Sequence, residues 1–138
     1  MNKAALAAIK LLNSLGCIGP GDMTMEEIAW ASGLTVTRKE MDGSEGRIVM
    51  SEKEAIISVN SKIVYQPKIN YILAHEIGHA CLHRNLAPLF TDTEKTLAEW
   101  YARGGHESEA NEFAAELLMP STLFSNMVKR KKLSLELD

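Results

Sequence analysis

The chain has 138 residues, the length of a single domain that can bury a core without disulfide bonds. A hydrophobic content of 46% and a charged content of 24% exclude both a disordered and a membrane-embedded protein. The net charge of -3 argues against a protein whose main affinity is for the phosphate backbone of a nucleic acid.

The sequence shows no export signal and no disulfide framework. It has no apolar run of about 18 residues, and the segment from Lys3 to Leu15 lacks a small-residue cleavage site. Its two cysteines, Cys17 and Cys81, do not suggest a stapled secreted fold. We therefore expect a cytoplasmic protein that does not contact a membrane.

Two helices are predicted near the N-terminus. Apolar residues at helical spacing run from Asn2 to Leu15, where a glycine-rich turn follows. Thr24 and Glu27 have the spacing of a capping box, which predicts a short helix that continues through Ser32. Residues 1–33 are too few and too weakly basic to form a helix-turn-helix domain of their own.

The central part of the chain changes to strand-like patterns. Three short β-prone runs follow one another, at Leu34 to Met41, Arg47 to Met50 and Ala55 to Asn60. A glycine-containing loop separates the first two runs, and a charged tight turn separates the last two. The runs predict a three-stranded antiparallel sheet.

A third helix is predicted from Lys68 to about His83, because Pro67 is well placed in a first helical turn. It is apolar nearly all round, which is typical of a helix buried on most sides. Thr91 and Glu94 form a second capping-box pair, which predicts a helix around residues 97–101, and a last helix runs from about His106 to Met119. These elements predict an α+β fold in one domain over residues 1–138, with the sheet packed against a helical bundle.

The third helix carries the motif His75-Glu76-Ile77-Gly78-His79. Residues four apart lie on one helical face, so His75 and His79 can direct ring nitrogens at one ion. Glu76 is turned about 100° from His75, where it can take a proton from water that the metal makes acidic. Three ionisable groups on a buried helix are costly unless something pairs them, and a zinc ion would do so.

A third metal ligand must come from outside this motif. A helix rises about 12 Å between residues 75 and 83, so His83 is expected to be structural or to support a ligand. On the last helix, Glu107 lies nearest the apolar stripe, Glu109 lies further round, and Glu112 and Glu116 are expected to point outward. Glu107 is therefore the predicted ligand.

Two further residues of the last helix are candidates for the site. Asn111 lies one turn beyond Glu107 on the same face, where its oxygen could accept the second ring N–H of a ligand histidine. His106 stays open as a ligand or a transition-state donor, because its neighbour Glu107 is expected to face the site.

The segments 75–83 (HEIGHACLH) and 107–120 (ESEANEFAAELLMP) resemble the ImmA/IrrE family of bacterial and phage metallopeptidases. The resemblance covers about Ile28 to Met127. The family pattern of Glu, two residues, Ala and then Asn or Asp falls on Glu107, Ala110 and Asn111. The resemblance implies Zn²⁺ as the cofactor, held by His75, His79 and Glu107, with Glu76 as the catalytic base.

This family is similar to the gluzincins, so the resemblance also implies a zincin-like fold and a protein substrate. Its members typically act on helix-turn-helix repressors that control phages, other mobile elements or stress responses. The strand from Ile56 to Asn60 would lie near the substrate cleft, where it could pair with an extended peptide. Three hypotheses stay open, namely an endopeptidase, a metal-containing module that sequesters a repressor without cleaving it, and a toxin-like protease.

Overall fold

The structure, a computed structural model, describes residues 2–17, 21–93, 97 and 105–120. Helices and strands are mixed along the described chain, which confirms the α+β class. The elements are α1 (Lys3–Ser14), α2 (Met25–Ala31), β1 (Thr35–Lys39), β2 (Gly46–Met50), β3 (Ala55–Asn60), α3 (Gln66–Leu82), β4 (Leu89–Asp92) and α4 (His106–Leu118).

Local signals fix the helix ends. At the start of α2, the Thr24 hydroxyl accepts the N–H of Glu27, and the Glu27 carboxylate accepts the N–H of Thr24. Pro67 lies in the first turn of α3. Backbone N–H groups in this turn have no acceptor within the helix, so the missing N–H of proline costs no hydrogen bond. The helix expected around residues 97–101 lies outside the described residues, apart from Leu97 itself.

Within the described residues the sheet has four strands in the order β1-β3-β2-β4, so the prediction of three antiparallel strands was wrong. β1 pairs in parallel with β3, while β2 is antiparallel to both β3 and β4. The loop after β1 is not a hairpin turn, because β3 lies between β1 and β2. The Asn60 side chain at the end of β3 donates to the carbonyl oxygens of Met41 and Ser44 in this loop.

The fourth strand was also missed. Thr91, predicted to cap a helix, lies in β4 opposite Arg47 of β2. A run of four residues is too short for an alternating pattern to be recognised, and its extended form depends on pairing with β2. This strand brings Asp92 next to Gly46.

Helix α3 lies at the centre of the fold, as its all-round apolar sequence predicted. It packs against α4 and α1 and also against β2 and β3. Its buried residues run without a break from Ile72 to Ala80. No helix in the described part of the chain is long and apolar enough to cross a membrane.

Candidate metal centre

The motif residues of α3 all point into the interior. His75, Glu76 and His79 have no exposed surface, because sheet and helices cover this part of α3 on every side. The rings of His75 and His79 lie one helical turn apart, with centroids 4.8 Å from each other in an edge-to-face arrangement. Their Nε2 atoms face the same group of carboxylates.

Helix α4 supplies the first of these carboxylates. Glu107 places Oε2 2.8 Å from Nε2 of His75 and Oε1 3.3 Å from Nε2 of His79. Its side chain is 22% exposed, so it lies at the margin of the buried cluster. Glu107 therefore lies on the side of α4 that its position nearest the apolar stripe predicted.

The second carboxylate, Asp92 of β4, was not found from the sequence. Its Oδ1 lies 3.2 Å from Nε2 of His75 and its Oδ2 3.6 Å from Nε2 of His79, with no exposed side-chain surface. The backbone holds it there, because its carbonyl oxygen accepts the N–H of Glu45 at 2.8 Å. The neighbouring Thr91 was predicted to cap a helix, and no pattern in the sequence singled out Asp92.

These four residues have the spacing that a divalent metal requires. One ligand atom from each of His75, His79, Asp92 and Glu107 lies within 4.8 Å of all the others. Tetrahedral ligands at zinc distances of about 2.0–2.2 Å lie about 3.3–3.6 Å apart. The four nitrogen-to-oxygen separations are 2.8, 3.2, 3.3 and 3.6 Å. Nε2 of His79 makes no hydrogen bond to the described residues, as expected of an atom suited to an ion.

Asn111 fixes the orientation of His75. The Nδ1–H of His75 donates to Oδ1 of Asn111 at 2.8 Å, so a neutral ring directs the lone pair of Nε2 at the carboxylates. The Tyr71 hydroxyl lies 2.5 Å from the same oxygen and 3.0 Å from the carbonyl oxygen of Leu97. Burial and the nearby Asp92 raise the pKa of Tyr71 to about 12, which keeps this group a donor.

His83 and Glu109 orient His79 in a similar way. The Nδ1 atoms of His79 and His83 lie 2.9 Å apart, and Nε2 of His83 lies 3.1 Å from Oε1 of Glu109. If His83 donates its Nε2–H to Glu109, its Nδ1 is free to accept the proton of His79. Burial lowers the pKa of His83, which favours the neutral ring that this arrangement needs.

His106 does not join the cluster. It is exposed, and its ring lies 4.6 Å from the ring of His83 and 6.1 Å from that of Phe90. Phe90 in turn stacks on His79, with centroids 4.1 Å apart and planes at 11°. His106 therefore borders the residues that support His79.

The cluster perturbs its own proton equilibria. Burial opposes a charged His75 ring, but the Asp92 and Glu107 carboxylates outweigh it and raise the pKa of His75 to about 9. Burial, with Asp92 and Glu107 close by, raises the pKa of Glu76 well above its usual range. A carboxyl group with a raised pKa can both take and return a proton near neutral pH.

Gly46 makes room for Glu76. A Cβ atom at residue 46 would lie 2.8 Å from Oε2 of Glu76 and 2.5 Å from Cγ2 of Ile72. Any side chain on this residue of β2 would displace the carboxyl group. The carboxyl group of Glu76 is thus packed closely against β2 and lies beside the carboxyl group of Asp92.

A family comparison agrees with this arrangement. A model described as Peptidase_M78, the IrrE N-terminal-like domain, matches residues 31–137. The match includes the motif helix, β4 and α4. A search of curated proteins found no match.

Proposed function

Since the chain belongs to the Peptidase_M78 family of IrrE N-terminal-like domains, we propose that it is a zinc-dependent endopeptidase that cleaves a helix-turn-helix repressor. The observation that carries the proposal is the convergence of two imidazoles and two carboxylates beside the buried Glu76. A site that only stabilises the fold gains nothing from a general base. The presence of Glu76 therefore favours hydrolysis over simple sequestration of a repressor.

Each residue of the site has a distinct role in this proposal. His75, His79 and Glu107 hold the zinc ion, and Asn111 and His83 fix the two imidazoles. Zinc in such a site acidifies water and polarises the carbonyl group of the substrate.

Glu76 moves the proton. Its carboxylate takes a proton from the attacking water and returns it to the nitrogen of the leaving amine. The buried position of Glu76 next to His75 and the cluster suits this double task.

The expectation that β3 binds the substrate peptide was wrong. β3 lies between β1 and β2, so the run from Ile56 to Asn60 has no free edge for a substrate. β4 is the last strand of the described sheet on the side of the metal cluster. We propose that an extended substrate segment lies along β4, where Phe90 stacks on His79.

The repressor substrate is proposed from the family and from charge. A net charge of -3 suits a partner with a basic DNA-binding surface. We propose that this partner is a cytoplasmic repressor of a phage or other mobile element. We expect the zinc-loaded protein to cut the repressor encoded nearest its gene at one or a few bonds and to leave casein intact. Gel electrophoresis and mass spectrometry of the products would test this.

Two other outcomes would change the proposal. Rapid digestion of casein would indicate general or toxin-like proteolysis. Tight binding of the repressor with no cleavage would support the metal-containing module that sequesters it.

The ligand assignment on α4 has its own test. Glu107→Gln should weaken zinc binding much more than Glu109→Gln. Glu107 lies against both motif histidines, whereas Glu109 contacts His83 and reaches the cluster only through it. Loss of a supporting residue typically costs about 10–100-fold in metal affinity, so the Glu107 variant should lose more than that. Competition with a chromophoric chelator measures both values. An equal loss in the two variants would refute the assignment.

A further inference from the structure

Asp92 faces the two imidazoles in the same way as Glu107. Each carboxylate directs one oxygen at Nε2 of His75 and the other at Nε2 of His79. The distances from Asp92 are 3.2 and 3.6 Å, and those from Glu107 are 2.8 and 3.3 Å. Distance alone therefore gives no reason to accept Glu107 as a ligand and to exclude Asp92.

The hydrogen bonds of the imidazoles point to a cation between the two carboxylates. Nδ1 of His75 is committed to Asn111, and Nδ1 of His79 faces His83. With these bonds in place, both Nε2 atoms face the two carboxylates, and this arrangement favours a positive charge between them, which a ring proton supplies in the metal-free protein and a metal ion would supply when bound. A divalent ion held by two carboxylates and two neutral imidazoles is also uncharged overall, which suits a buried site.

The contacts around Asp92 hold its backbone beside the histidines. The residue is fully buried and pairs with Gly46 at the end of β4. Its carbonyl oxygen accepts the N–H of Glu45, and Phe90 two residues earlier stacks on His79. A shift of the end of β4 would therefore move the carboxylate away from the histidines.

We propose that Asp92 is a fourth protein ligand, so that the resting metal centre has no position open to water. This inference rests on the metal centre of the proposed function and adds a means of regulating it. Sites with four protein ligands are closed, whereas catalytic zinc sites keep a position open. The substrate segment proposed to lie along β4 would, by shifting the end of that strand, move the Asp92 carboxylate away and open a position for water only when substrate is bound.

Cobalt is a suitable probe, because it replaces zinc and absorbs visible light. The test compares the wild-type protein with Asp92→Ala and with Asp92→Asn, which keeps the shape of the side chain. Asp42→Ala and Asp42→Asn are the matched controls, since Asp42 is exposed in the loop before β2. Circular dichroism of the metal-free proteins checks that each one is folded, and Asp92→Asn decides the matter if Asp92→Ala does not fold.

Two measurements are made on each protein. The first is cobalt affinity by chelator competition, where both Asp92 variants should lose more than about 100-fold, the upper bound for loss of a supporting residue. The second is titration with acetohydroxamate, followed by the cobalt spectrum. The Asp92→Ala centre should bind this small ligand at least about 10-fold more tightly than the wild type, because a position has opened.

Each outcome decides between the possibilities. Wild-type affinity for both cobalt and acetohydroxamate in the Asp92 variants would overturn the role of Asp92 and leave the metal centre in place. Failure of the wild-type protein to bind cobalt at all would overturn the metal centre itself, and the role of Asp92 with it. The Asp42 controls should match the wild type in both measurements.

Discussion

Glu76→Gln should abolish proteolysis while the metal and the fold are retained. The amide has nearly the same shape as the carboxyl group but cannot take the proton from the attacking water. General-base catalysis typically contributes about 10²–10⁴-fold, so cleavage of the repressor should fall by at least that factor. Single-turnover cleavage, with elemental analysis of the same samples, measures the two effects separately.

The surroundings of Glu76 explain why the fold should tolerate this change. A protonated Glu76 can donate to the neighbouring carboxylate of Asp92, and the side-chain N–H of glutamine can donate in its place. Burial and the carboxylates of Asp92 and Glu107 disfavour the ionised form of Glu76. Replacing it with a neutral amide should therefore stabilise the metal-free protein slightly. Glu54→Gln, in the exposed turn between β2 and β3, is the matched control. Wild-type cleavage by Glu76→Gln would show that Glu76 is not the base, and loss of the metal would identify it as a ligand.

The helices could be predicted because their signals are local. The capping box at Thr24 and the proline at residue 67 lie within a few residues of the helix ends that they specify. The all-round burial of α3 followed from its apolar sequence alone. Each of these inferences depends on neighbours in the chain.

Strand pairing could not be predicted in the same way. An alternating pattern says which side chains share a face of the sheet, but it does not say which strand lies alongside. The parallel pairing of β1 with β3 joins two strands that β2 separates in the chain. β4 depends on β2 for its extended form.

The same limit applied to the candidate site. Helical angles predicted that Glu107 faces the motif histidines, and its distances agree with that angle. Glu116 was expected to point outward, yet it is only 8% exposed, because α4 packs against α1 as well as α3 and so buries a wider arc. Asp92 depends on the pairing of a strand that was not predicted, so no local pattern could place it.

The central claim is that the chain holds one divalent metal ion between its motif histidines. Its most direct test is elemental analysis of the wild-type protein and of His79→Ala after loading with zinc and removal of the excess. His79→Gln serves as a second variant, and His106→Ala is the matched control, because His106 is exposed and outside the cluster. The wild-type protein and the control should retain about one zinc ion per chain, and both His79 variants should retain almost none, since His79 supplies one of the two imidazole ligands of the cluster. Full retention of zinc in the His79 variants, or none in the wild-type protein, would contradict the account.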